Sequence, residues 1–524
     1  MTEFDRMGSQ NMNQQQFPDI PAEKFRLIRQ DEKIHDEKIQ TKPIGYFKDA
    51  WLRFVRNKSA VVAFTLIVIL VLFAIIVPFV SEYDVSFRSG YYKTIQPKSA
   101  FFSQLGFWDG GRRENHNQES FLALRAIGRE TGRNVVMKEY NAYEDSKGIT
   151  YHDVKVDSYF RVGFAYMNLT ETEYRNLKAY QDEKNIQVIY PLSKTYNIDF
   201  LQGNLGANYW YRLKNEATTS TGAPMLDEKG ELIPNYLTTT EKNRAEYNSK
   251  RVSWDNGGED GNTWMVYAQK NQSGYRVRVD YYEYFRYLYG RAPLFLFGTN
   301  GYGQDMLTCL AAGARLSFLL AISISLINFL IGGIYGAVEG YYGGAVDMVL
   351  ERISDVLNDV PFMVVATLFQ LHLAQKVGVL PSLLFAFVLT GWVGIAARVR
   401  MQFYRFKGQE YVLAARTLGA SDRRLIFKHI YPNSLGTIIT GSVLAIPGVI
   451  FSESMLSYLH IINLETSSLT SIGTLLAGGQ GYLSTYPHII FFPALFISIL
   501  EISFNLFGNG LRDAFNPSLR GAED

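Results

Sequence analysis

Few residues in this sequence could do bond chemistry, and their spacing does not assemble them. Asp255, Glu259 and Asp260 in WDNGGEDGN could offer oxygen ligands, but they lack the spacing of a calcium loop, and a solvated glycine-rich turn is the better reading. The sequence holds no G-x-x-x-x-G-K-[ST] loop to cradle nucleotide phosphates, no H-E-x-x-H pair for zinc and no G-x-S-x-G nucleophile turn. Cys309 is the sole cysteine, which removes intrachain disulfides and every cysteine-based metal motif. The expectation is a chain that is not an enzyme, has no catalytic residues and binds no metal or cofactor of its own.

A second group of ionisable residues is notable for its surroundings. Glu453 and Glu501 fall inside long apolar runs, and Asp355 and Asp359 stand near the start of another, just before Pro361. Charge in hydrocarbon is costly, so such groups face protein or water. Glu453 and Glu501 are therefore candidate pathway residues, the alternative being a place near a span end or against a polar partner. His372 reads as a satisfied interior histidine.

The most informative polar stretch runs from Glu410 to Pro432, EYVLAARTLGASDRRLIFKHIYP. Tyr411, Ala414, Ala415 and Leu418 share one helical face. Gly419 can end that helix in a left-handed conformation, Ser421 can cap a second short helix, and Pro432 is expected to stop it. Two short amphipathic helices hinged at a glycine could lay an apolar strip into a groove on another protein. The other reading is an ordinary basic loop held against lipid headgroups.

The elements that must position these residues follow from hydropathy. The 524 residues are 47% hydrophobic, yet the mean hydropathy is −0.06, because an apolar C-terminal part is averaged with polar segments at 1–58 and 81–300. Residues 59–80 carry no charge and are long enough to cross roughly 30 Å of hydrocarbon; the polar 58 residues before them argue against a cleaved signal peptide. Five more spans are expected near 314–338, 356–376, 378–398, 435–458 and 486–508. Their prolines, Pro361, Pro381, Pro447 and Pro493, and Gly332, Gly333 and Gly336, are of a kind that packed membrane helices tolerate. Lysines and arginines crowd residues 24–58 and 398–428 and are absent from 459–485. The positive-inside rule then places both termini and the 399–434 loop in the cytoplasm, and residues 81–300 outside it.

That external segment reads as a folded α+β unit. Tyr275, Val277, Val279 and Tyr281 alternate with charged residues as in a half-buried strand, residues 263–268 offer a hairpin partner, and 154–160 a third strand. Thr170 and Glu173 form a capping-box pattern opening a helix to about Glu183. The aromatic run from Tyr281 to Phe297 either floors a ligand site or forms an interfacial belt that packs the segment onto the bundle.

Several of these stretches resemble one known family. Ala414, Ala415, Gly419 and Pro432 match the EAA motif of ABC importer permeases, with Leu413 where Glu is frequent and Tyr431 where Leu is frequent. Residues 413–422, LAARTLGASD, resemble the C-type permeases of bacterial oligopeptide and dipeptide importers. Gly298–Asp305 resembles that family's Gly-Thr-Asp-x-x-Gly-Arg-Asp, with Asn300 for Asp and Gln304 for Arg, swaps that remove one charge of each sign. Residues 505–513 resemble its C-terminal signature, with Asn509 where Asp is usual. The resemblance runs from Lys48 through the first span and again from about Phe297 to Gly521.

It implies an all-α six-helix transmembrane bundle of the type I ABC importer permease kind, with a large extracytoplasmic α+β insert after the first helix. The corresponding division is 1–58 cytoplasmic, 59–80 first span, 81–300 insert, 301–515 permease domain and 516–524 cytoplasmic tail. The resemblance further implies a bacterial cell-membrane oligopeptide importer. Its partners would be a second permease, two ATPases that use ATP, an extracytoplasmic peptide-binding protein and the lipid bilayer, without nucleic acid. Glu410, Leu413, Ala414, Ala415, Gly419, Ala420, Ser421, Asp422 and Pro432 would couple to an ATPase. A related cargo such as dipeptides, nickel or antimicrobial peptides, or a membrane-anchored receptor, are the alternatives.

Overall fold

A short basic helix and one apolar helix open the described chain, and a polar α+β segment separates them from the remaining helices. The computed structural model describes residues 46–194, 207–212, 224–251, 264–272, 274–464 and 469–515. The chain divides into Met1–Asp49 and Ala50–Asp524; of the former only residues 46–49 are described, as the first turn of helix α1 (Tyr46–Arg56). Helix α2 (Lys58–Val80) begins where the Asn57 side chain accepts from the Ala60 amide at 3.2 Å. Most of its surface is exposed, as suits a helix whose one charge, Lys58, stands at its first residue.

The segment after α2 is α+β, as expected. Strands β1 (Gly111–Asn117), β2 (Val136–Glu144) and β3 (Thr150–Asp157) form an antiparallel sheet in the order β1-β3-β2. Helix α3 (Gln118–Thr131) buries Phe121, Leu122 and Ile127 with Val154 and Val156 of β3. A second sheet contains β4 (Phe164–Leu169) and, after helix α4 (Glu171–Lys184), β5 (Ile189–Tyr190). The short strands β6 (Thr238–Thr239), β7 (Lys250–Arg251) and β8 (Trp264–Met265) pair among themselves. Strands β9 (Ala268–Asn271) and β10 (Gly274–Asp280) complete the second sheet, in which β10 pairs with β4, β5 and β9.

The expected capping box at Thr170 is present, and α4 runs one residue past its predicted end. The predicted hairpin partner divides: Trp264 and Met265 pair with β6 and β7, whereas Ala268–Asn271 pairs with β10. Asp255, Glu259 and Asp260 lie outside the described residues. Arg278 of β10 is fully buried, its guanidinium 3.7 Å from the Phe164 ring centre and donating to Glu130, Ala207 and Pro191. Helix α5 (Tyr281–Tyr289) carries the first part of the aromatic run, and Tyr281, Tyr284 and Phe285 are core residues packed with Tyr83, Tyr92 and Ile95 of the chain that leaves α2. Those rings and Phe295 pack the segment's own core, whereas Phe297 stacks on Phe492 of the last helix at 4.1 Å between ring centres and so packs the segment onto the helical part.

The helical part begins with α6 (Met306–Tyr342), started by Asp305, whose carboxylate accepts from the Thr308 amide at 2.9 Å. Then come α7 (Gly344–Asn358), α8 (Phe362–His372), α9 (Ala374–Val377), α10 (Val379–Gly391) and α11 (Val393–Phe406). After α12 (Glu410–Thr417) and α13 (Asp422–Arg424), a π-helical turn over Leu425–Ile430 leads into α14 (Tyr431–Val443) and α15 (Ala445–Tyr458). Helices α16 (Ile472–Gly479) and α17 (His488–Phe515) close the described chain.

Among the described residues, five stretches are long and apolar enough to cross a membrane: 58–80, 306–342, 379–406, 422–458 and 488–515. The span expected at 356–376 is not one helix. Pro361 has extended backbone at φ −59°, ψ 121°, which ends α7 and leaves Phe362–His372 as a shorter apolar helix. His372 is exposed in this chain, contrary to the interior position expected.

Where α6 crosses α11 the backbones nearly touch. A Cβ on Gly336 would stand 2.2 Å from the Ala396 carbonyl oxygen, and one on Gly340 2.6 Å from the Phe403 Cβ, so this stripe admits no larger residue without separating the helices.

Candidate coupling site

The stretch from Lys407 to Pro432 folds back as an elbow against the ends of α6 and α11. Helix α12 opens at Glu410 and buries Val412, which meets Phe403, Leu425, Ile426 and Ile430 in one apolar cluster with Tyr341. At its C-terminus the Ala420 amide donates to the Ala415 carbonyl at 3.1 Å and Gly419 takes φ +81°, a left-handed end that glycine adopts without penalty. Ser421 takes the expected N-cap position before α13, with extended backbone but no side-chain cap bond.

Pro432 does not stop the second helix. It sits in the first turn of α14, after the π turn has widened the backbone ladder, and the helical run continues from Asp422 to Tyr458. The loop expected at 399–434 is accordingly helical at both ends.

The predicted residues divide between two roles. Ala415 and Ala420 pack partly against the cluster, and Asp422 accepts from the Tyr341 hydroxyl at 2.5 Å. Glu410, Leu413, Ala414, Gly419 and Ser421 face outward, and Leu418 at the elbow's tip is 87% exposed. Asn433 adds a tie to the Tyr411 hydroxyl at 3.1 Å. The elbow is thus held from beneath while presenting an apolar tip.

Arg400 on α11 joins the elbow's base to its neighbours. Its guanidinium donates to Asp347 at 2.6 and 2.8 Å and to Glu351 at 2.8 and 3.0 Å, both on α7, and its Nε lies 3.6 Å from Glu339 of α6. Tyr404 donates to Asp347 at 2.6 Å, and Lys407 donates to the Gly340 carbonyl at 2.9 Å. Sequence reasoning counted Arg400 only toward orientation, because nothing local marks partners some fifty residues away.

The two candidate pathway carboxylates are differently placed. Glu453 is 1% exposed and accepts hydroxyls from Ser317 at 3.2 Å, Ser457 at 3.1 Å and Ser471 at 2.7 Å. Ser471 also caps α16, so the carboxylate stands near the positive end of that short helix. Glu501 on α17 is half-buried and not part of this network; Asp355 and Asp359 are exposed. In the turn at 298–305 the two uncharged residues bond each other: Asn300 donates to the Gln304 side chain at 2.8 Å, both are buried, and Gln304 donates to the Val85 carbonyl at 2.9 Å.

Apolar helices of crossing length that meet at glycines describe a multi-pass helical membrane protein. Residues 328–521 match the family described as "Binding-protein-dependent transport system inner membrane component", and residues 45–97 match "N-terminal TM domain of oligopeptide transport permease C". The chain belongs to this family of ABC importer permease subunits, which are not themselves enzymes. It is 41% identical over 224 residues to the oligopeptide transport system permease protein OppC of Bacillus subtilis, spanning 43% of this chain and 72% of that one. It is 40% identical to the dipeptide transport system permease protein DppC of the same organism (43% and 69%) and 34% identical to OppC of Escherichia coli K12 (43% and 72%). Neither family model reaches residues 98–327.

Proposed function

We propose that this chain forms half of the translocation pathway of an ATP-driven peptide importer, and that residues 410–432 transmit movement from an ATPase to the helix bundle. Leu418 carries this reading: an apolar side chain left 87% exposed at the tip of an elbow whose underside is fully packed suits a groove on another protein. The partners are a second permease, two ATPases that bind and hydrolyse the ATP, and a peptide-binding protein; this chain holds no cofactor. Peptide cargo follows from the relatives' names. The chain crosses the membrane six times, with Phe362–Val377 as the short crossing, both termini and the elbow cytoplasmic, and the α+β insert outside, where it docks the binding protein or caps the partner permease. The density of Lys and Arg at 398–428 and their absence from 459–485 support that orientation.

The one natural cysteine, Cys309, is buried, so a Leu418→Cys variant reports from a single reactive thiol. Short crosslinkers in the purified transporter should join it to a nucleotide-binding subunit, and a membrane-impermeant thiol reagent should reach it only from the cytoplasmic side of sealed vesicles. Labelling from the outside, or no crosslink in an assembly that still transports, would refute the coupling assignment.

A further inference from the structure

We propose that the cleft between the α+β insert and the first turns of α17 is a binding site for a phospholipid, with its phosphate among cationic side chains and its acyl chains along α17. Two adjoining cavities make the cleft, of about 400 and 230 Å³, and Gln96 lines both. The larger is walled by Pro97, Trp108, Pro487, Phe491 and Phe492; Asp109 also lines it, its carboxylate taken by Lys155. Trp108 lies roughly parallel to Phe492 at 5.9 Å between ring centres, and Phe491 is 55% exposed on α17. The smaller is lined by Lys93, Arg112, Arg161, Ser158 and Tyr486. An apolar chamber therefore adjoins a cationic one at the start of a membrane-crossing helix, the depth at which a lipid changes from tail to headgroup.

The charge balance favours an anion. Arg112 stacks over Tyr486 at 4.2 Å and lies 3.5 Å from Glu114, which also accepts from Arg161 and is 2.8 Å from His116. One carboxylate thus faces two guanidiniums, and Lys93 makes no ion pair among the described residues, so the chamber keeps positive charge. The Gln96 side-chain nitrogen is buried without a hydrogen-bond partner among the described residues, a donor left unused beside both cavities. A free phosphate would satisfy the cations but leave the aromatic chamber empty, whereas a lipid fills both.

The proposal rests on the transport reading only for the leaflet, which is the outer one if the insert is external. The test uses the full chain, purified in mild detergent and stripped of lipid, titrated with dioleoyl phosphatidylglycerol and, in separate arms, with inorganic phosphate and glycerophosphate. Binding is read by native mass spectrometry. The lipid should bind saturably and the two soluble anions should not. Lys93→Gln, which breaks no ion pair among the described residues, should weaken lipid binding about fivefold, and Lys93→Gln with Arg112→Gln on the order of twentyfold. Phe491→Ala should weaken it with the headgroup cations intact. Unchanged affinity in Lys93→Gln and Phe491→Ala, or equal occupancy by inorganic phosphate, would overturn the proposal. A Lys93→Cys variant labelled only from the cytoplasmic side of sealed vesicles would instead overturn the topology, leaving lipid binding at the cleft intact.

Discussion

Glu453 shows how a bundle of apolar helices can carry a buried carboxyl group with no counter-ion among the described residues. Three serine hydroxyls from α6, α15 and the cap of α16 donate to it, so three elements are tied at one point. Truncating it to Ala would leave those hydroxyls facing a void, and a stranded buried polar group costs about 1–3 kcal/mol. Glu453→Ala should therefore lower stability in detergent by on the order of 3 kcal/mol, while Glu453→Gln keeps an acceptor oxygen and should recover at least half of that. Thermal denaturation of the purified chain ranks the three proteins. Equal losses in both variants would mean that the serines are not held by this side chain. Transport separates the two roles left open for Glu453: a purely structural tie predicts near-normal uptake by Glu453→Gln, and a pathway role predicts its loss.

At the scale of elements, local signals were readable and distant ones were not. The capping box of α4 is an example of the first kind. Thr170 and Glu173 sit three residues apart, and the structure places the Glu173 carboxylate 2.8 Å from both the Thr170 amide and its hydroxyl. The Thr170 backbone amide, and then its hydroxyl, hold the Glu173 carboxyl below its usual range. A depressed folded pKa means the cap stabilises α4 above the ordinary glutamate range and is lost as pH falls through the folded value. Amide exchange in the first turn of α4 should thus accelerate under acid, and Glu173→Gln, which keeps the reciprocal bond, should flatten that dependence. An identical acid response in Glu173→Gln would assign it to other groups. The first span was legible for the same reason, since one charge-free run decides it. The break at Pro361 was not, because proline is compatible with both a kinked and an interrupted membrane helix, and neighbours choose between them. The same ambiguity made Pro432 read as a stop, when the π turn before it lets the helix continue. The elbow's two short helices were readable from spacing, but the division of its residues into a buried underside and an exposed tip depends on Phe403 and Tyr341, which lie on other helices.

For the whole molecule, the question is what moves when the elbow moves. The elbow is not hung from a flexible loop: Val412 and Leu425 are buried against α11, Asp422 is bonded to Tyr341 of α6, and Lys407 to the last turn of α6. Arg400 then fastens α11 to α7 through two carboxylates and approaches a third on α6. Under the proposed coupling, force applied at Leu418 would reach three helices together, and Arg400 would be the positioning residue that includes α7. Arg400→Ala would leave Asp347, Glu351 and Glu339 facing one another without their shared cation. The partial exposure of the site reduces the penalty to on the order of 2 kcal/mol, short of unfolding a packed bundle. In the reconstituted transporter this variant should still assemble with its ATPases and hydrolyse ATP, yet move fewer peptides for each ATP, because α7 no longer follows the elbow. Arg400→Lys restores the charge without the paired hydrogen bonds and should fall between the two. The ratio of uptake to hydrolysis is the decisive measurement, since a merely destabilised protein loses both together. A normal ratio in Arg400→Ala would show that the elbow drives the bundle through α6 and α11 alone.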